Sequence, residues 1–156
     1  MENKYYTPTL EEFYVGFRFE MIDMCSIDGG PNMLQWNKKV LDTLSTPNAF
    51  NIDYAFRNKE IRVKYLDKSD IEELSWRMVK DYSDEFIFQT QIFTDKTKQD
   101  YWWELNFNKQ SKKITIEYWT GDCCGSNFEI LFQGTIKNYN ELQTLMYQLN
   151  ILKDER

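Results

Sequence analysis

Apolar and polar residues alternate along most of this chain. From Phe13 to Ile22, the residues Phe13, Val15, Phe17, Phe19 and Met21 share one parity while Arg18 and Glu20 take the other, which predicts a half-buried strand. Ser26 to Asn32 breaks the pattern with Gly29, Gly30 and Pro31 and reads as a turn. Met33 to Leu44 fits two templates. Met33, Trp36, Val40, Leu41 and Leu44 form a helical stripe, whereas Leu34 and Trp36 flank Gln35 as in a strand. After a loop at Ser45 to Asn48, Glu60 to Leu66 returns to period two with Ile61, Val63 and Tyr65 inward. Ser69 to Glu72 has the spacing of a capping box and predicts a short helix through about Trp76.

From Phe86 onward the pattern is that of a meander. Phe86 to Thr94, Tyr101 to Asn108, Lys113 to Thr120 and Asn127 to Ile136 all alternate, separated by polar loops. The last element predicts a helix, with Asn138 as N-cap, Glu141 three residues on, and Leu142, Leu145, Met146, Leu149 and Leu152 on one stripe. This order of elements belongs to the α+β class: a twisted antiparallel sheet, or a partly closed barrel, with a short helix near 69–76 and a C-terminal helix packed on the sheet. With 156 residues and no linker or internal repeat, a single domain over 1–156 is expected.

Charge and composition narrow the function classes. There are 19 basic against 25 acidic residues, a formal −6, so the balance argues against nucleic acid as the main partner. No apolar run reaches the length of a membrane helix, and the start, Met1 to Tyr6, lacks the layout of a signal peptide; a cytoplasmic protein with no membrane partner is expected. Histidine is absent, which removes Ser-His and Cys-His nucleophile pairs and His-ligated zinc. No cofactor motif occurs, since Gly29-Gly30 belongs to neither a Walker loop nor a dinucleotide fingerprint.

The segments Tyr5-Tyr-Thr-Pro-Thr-Leu-Glu-Glu-Phe13, continuing as Val15-Gly-Phe-Arg-Phe-Glu20, and Ile61-Arg-Val-Lys-Tyr-Leu-Asp-Lys-Ser-Asp-Ile-Glu-Glu-Leu-Ser-Trp76 resemble a group of small uncharacterised proteins of gut Bacteroidetes bacteria and their tailed phages. Ser75 stands where glycine is expected in that group. The resemblance implies a phage or mobile-element accessory protein in the host cytoplasm, with a host or phage protein as partner. It brings no catalytic residue with it.

Three constellations bear on chemistry. Cys123 and Cys124, between Gly121 and Gly125, read as a hairpin loop: no second cysteine pair completes a zinc site, and Asp122 disfavours a thiolate. Glu129-Ile-Leu-Phe-Gln-Gly134 is similar to the recognition sequence of a picornavirus cysteine protease, but Phe128, Ile130, Phe132 and Ile136 alternate as an inward set. A central strand that resists the protease is therefore expected. The third constellation lies on the outward face of the meander. Pairing Phe107 with Ile114 sets Trp102 opposite Trp119 and Glu104 opposite Glu117, and pairing Tyr118 with Phe128 sets Glu117 beside Glu129. Like charges directly opposed destabilise a sheet, so three carboxylates in a row beside two tryptophans imply either a site of Trp102, Glu104, Glu117, Trp119 and Glu129 for a metal ion, a cationic ligand or an arginine-rich partner, or a lysine or arginine of the N-terminal strand or the helix reaching over the row, or a register off by two.

The reading that fits best is a non-enzymatic protein-interaction module. A single-stranded nucleic-acid or nucleotide binder, using stacked tryptophans with Arg62 and Lys64 as an outward basic pair, is the first alternative. A carboxylate-metal hydrolase is the second, and the oligomeric state is left open.

Overall fold

Strand formation follows the alternation closely from Ile61 onward and more loosely before it. The computed structural model describes residues 4–14, 16–22, 36–41, 54–90, 92–94, 96, 99–122 and 125–152. The chain divides into two compact units, residues 1–65 and 66–156. The first holds a four-stranded antiparallel sheet of β1 (Tyr5–Tyr6), β2 (Arg18–Ile22), β3 (Trp36–Val40) and β4 (Ile61–Lys64) in the order β1-β4-β2-β3. The strand expected from Phe13 begins only at Arg18. Leu10–Glu12 form a 3-10 turn, and Gly16 takes a left-handed φ of 96° that reorients the chain before Phe17. Phe17, Phe19, Leu41, Ile61 and Val63 form the core of this unit. Of the two templates for Met33 to Leu44, the strand holds for Trp36–Val40. Tyr65, expected inward, is exposed, and its ring packs on Tyr6.

The second unit begins with α1 (Lys68–Glu73). Its capping box is built by Asp67 and Asp70 rather than Ser69 and Glu72, with the Asp67 side chain accepting from the Ser69 and Asp70 amides. The N-cap moved because an acceptor at Asp67 reaches the first free amides. The turn after α1 carries Ser75 at φ 68°, the conformation for which glycine is best suited.

A six-stranded antiparallel sheet follows: β5 (Arg77–Asp81), β6 (Glu85–Gln89), β7 (Phe93–Thr94), β8 (Asp100–Asn108), β9 (Lys113–Asp122) and β10 (Gly125–Thr135). Its order is β10-β9-β8-β6-β5, with β7 added beside β8. Both ends of this order are open, so neither sheet is a closed barrel. Helix α2 (Tyr139–Gln148) starts at Asn138, whose side chain accepts from the Glu141 amide as the sequence implies. Leu142 and Met146 are buried against Phe88, Leu105, Phe107, Ile114 and Ile116, so α2 covers one face of the sheet. The Trp76 indole N–H donates to the Met146 sulfur at 3.1 Å within this core.

Two departures on β10 matter for the site. The ladder pairs Phe128 with Trp119, Glu129 with Tyr118 and Ile130 with Glu117, and then resumes at Phe132 with Ile116. Leu131 is thus an unopposed extra residue, a β-bulge that reverses which parity faces α2. Phe128 and Ile130, expected inward, are 55% and 52% exposed on the face away from α2. β10 is also the last strand of the sheet and not a central one. The paired cysteines 123 and 124, Cys25 and Gly29-Gly30 lie outside the described residues.

Candidate binding face of the second sheet

Because side chains alternate across a strand, the α2 side of the sheet takes Phe88, Leu105 and Ile116, and the opposite side takes their sequence neighbours. Across the strands that opposite side reads Arg77, Gln89, Glu104, Glu117 and Ile130 in one row. The next row reads Trp102, Trp119 and Phe128. The expected pairs Trp102 with Trp119 and Glu104 with Glu117 are both present in the ladder.

Glu129 is not in the row. The Leu131 bulge turns it to the α2 side, opposite Tyr118, and Ile130 takes the place beside Glu117. The row of three carboxylates is therefore a pair, closed by an aliphatic residue on one side and an amide on the other. Phe128, Ile130 and Gln89 also belong to the face; parity alone puts Phe128 and Ile130 inward because it carries the register straight past Leu131, where the ladder shifts. The spacing of β6 could have supplied Gln89.

The rings form a continuous stack. Trp102 and Trp119 lie 5.9 Å apart at 10°, and Trp119 and Phe128 lie 4.9 Å apart at 26°. Offset stacking at such separations adds to the burial of each ring. Trp119 Nε1 donates to Glu117 Oε2 at 2.9 Å, and Gln89 Nε2 donates to Glu104 Oε2 at 2.8 Å. The indole N–H of Trp102 is buried and has no hydrogen-bond partner.

Neutral donors thus hold the two carboxylates, and among the described residues neither has an ion-pair partner. Partial burial raises the Glu117 carboxyl above its usual range, the Trp119 hydrogen bond opposes this, and the facing Glu104 adds to the rise. Such a face attracts a cation whose stem can lie on aromatic or aliphatic surface.

Other polar clusters are already satisfied. Arg62 donates to Glu20 at 2.8 Å and its guanidinium lies between the rings of Tyr5 and Trp36, 3.7 and 4.0 Å from their centroids. It is therefore engaged within the first unit. A cavity of about 490 Å³ beside α1 is lined by Phe86, Phe107, Lys68, Lys109 and Lys112. Lys109 there pairs with Asp81 at 2.6 Å, donates to the Tyr82 carbonyl and lies 4.1 Å from the Phe86 ring centre. Among the described residues no three Cys, Asp or Glu side chains converge to hold a metal ion, and no helix is long and apolar enough to cross a membrane. No family model, curated protein or solved structure matches the chain.

Proposed function

We propose that the face of Trp102, Glu104, Glu117, Trp119, Phe128 and Ile130 is a docking surface for another protein, and that the chain is a non-enzymatic interaction module. The observation that carries this reading is the Glu104–Glu117 pair, which faces across two strands with no ion-pair partner among the described residues. Like charges directly opposed across two strands destabilise a sheet. A cationic group supplied by a partner turns that cost into attraction. The stacked rings beside the pair are the residue types that dominate protein interfaces.

A host or phage protein as partner, in a host cytoplasm, agrees with the resemblance noted above. Stacked tryptophans also suit single-stranded nucleic acid, but two carboxylates beside the stack repel a phosphodiester backbone. Arg62, one of the two cations of that reading beside Lys64, is engaged with Glu20.

The test is capture of partners on immobilised protein, with Trp119→Ala and Glu117→Lys as paired controls. Both substitutions are expected to abolish capture of the same protein while far-UV circular dichroism stays unchanged. Equal capture by all three proteins would remove this face from the function.

A further inference from the structure

The two ends of the second sheet are protected very differently. At one end, β5 is a five-residue strand carrying Arg77, Lys80 and Asp81 and interrupted by a bulge at Val79. Charges, short length and bulges are the usual means by which an exposed strand avoids pairing with another chain. At the other end, β10 runs for 11 residues with no lysine, arginine or proline, and its bulge at Leu131 guards only the stretch beyond Ile130. Its only charge is Glu129, and Ser126 to Ile130 are all exposed. Among the described residues, the backbone of β10 pairs only with β9. The stretch from Gly125 to Ile130, before the bulge, is a regular ladder with one side open.

We infer that β10 receives a partner segment as an added strand, and that this segment is extended, basic and aromatic. The inference rests on the docking-face reading and specifies how the partner is held. An added strand lies about 5 Å from β10, so its side chains fall opposite Phe128, Glu129 and Ile130. Opposite Phe128, an aromatic residue continues the stack that runs from Trp102 through Trp119. Opposite Glu129, on the other side of the sheet, a lysine or arginine makes a favourable cross-strand pair.

Opposite Ile130, a second long basic side chain is called for. Glu117 lies two strand spacings away, about 10 Å. An arginine or lysine reaches it by laying its stem over the exposed Ile130 side chain. The occupant is therefore a strand with one aromatic residue followed or preceded by two basic ones. A second copy of this chain does not meet the requirement, since its β10 would bring another Glu129, no cation, and a further formal charge of −6.

The probe is a synthetic acetylated Val-Arg-Lys-Tyr-Thr-Val amide, titrated against the full chain and followed by tryptophan fluorescence and calorimetry. Three comparison peptides are needed: one methylated on alternate backbone nitrogens of the edge that meets β10, one methylated on the opposite edge, and one with glutamate in place of both basic residues. Saturable binding of the parent peptide is expected, weakened at least tenfold by methylation on one edge only and by the glutamate exchange. Glu117→Gln is expected to weaken it several-fold.

Equal binding of both methylated peptides would overturn strand addition while leaving the docking face intact. Methylation sensitivity with no effect of Glu117→Gln or Trp119→Ala would do the reverse, keeping the added strand and overturning its link to the face. Absence of binding by the parent peptide, or a dimer in sedimentation that the peptide fails to disperse, would overturn the inference altogether.

Discussion

Glu117 is the residue at which geometry and electrostatics meet. Its carboxyl is raised from the usual value of 4.5, first by burial and then by Glu104. A raised acid binds its proton more tightly in the folded state, so its contribution to stability is present below pH 4.5 and is lost as pH rises through the raised value. Glu117→Gln removes that loss and keeps an oxygen to accept from Trp119. At pH 7 it is expected to stabilise the protein by about 0.5 kcal/mol, the scale on which a single cross-strand pair acts, and at pH 3.5 to change nothing. Urea midpoints at the two pH values check this, and a lower midpoint at pH 7 would mean that an unseen cation already serves the pair. Ser75 offers a simpler case. Held at φ 68°, it bears the cost of a side chain in a left-handed turn, and Ser75→Gly is expected to gain up to about 1 kcal/mol against that cost. The gain is measured as a shift in thermal midpoint.

Among the elements, α2 was the most legible, because its cap and its stripe say the same thing. Asn138 accepts from Glu141 and is almost wholly buried, and Leu142 and Met146 face the core. Asn138→Ala is expected to cost about 1 kcal/mol or more through loss of the cap, and Leu142→Ala about 3 kcal/mol through the cavity it leaves; chemical denaturation of each variant measures both. Strands β8 and β9 were equally legible, register included, since one short polar loop and strict alternation allow few pairings. β10 was read only in its second half. Phe132 and Ile136 pack inward as their parity requires, but Phe128 and Ile130 do not, because the ladder skips Leu131, in the apolar run Ile130-Leu131-Phe132 where the alternation itself falters. The candidate face was legible to the same extent: the pairings of Trp102 with Trp119 and Glu104 with Glu117 stand as alternation implies, whereas Glu129 lies on the other side of the sheet and Phe128 and Ile130 take its place. β5 escaped notice because its bulge and three charges mask the period. The protease-like sequence also changes meaning on an edge strand. Gln133 is exposed, so the picornavirus protease is expected to cut after it in the folded protein, more slowly than in the denatured chain, and mass spectrometry of timed digests tests the rate.

At the scale of the whole molecule, each compact unit holds, among the described residues, its own sheet and its own buried cluster, which bears on how much of the chain is needed to fold. The cluster around Leu105, Ile116 and Leu142 draws all its buried members from residues 66–152. A 66–156 fragment is therefore expected to melt cooperatively on its own and to retain the tryptophan stack, which near-UV circular dichroism reports. The bulge at Leu131 has a further consequence at this scale, concerning colloidal behaviour rather than recognition. Removing that one residue leaves every residue pair of the ladder in place, since Ile130 and Phe132 already sit opposite adjacent residues of β9. What it removes is the kink that interrupts β10 as a template for further strands. A Leu131 deletion variant should fold with both faces unchanged and yet assemble into ribbons at concentrations where the parent stays dispersed, as light scattering and thioflavin fluorescence would register. On this account a single supernumerary amino acid sets the solubility ceiling of the protein.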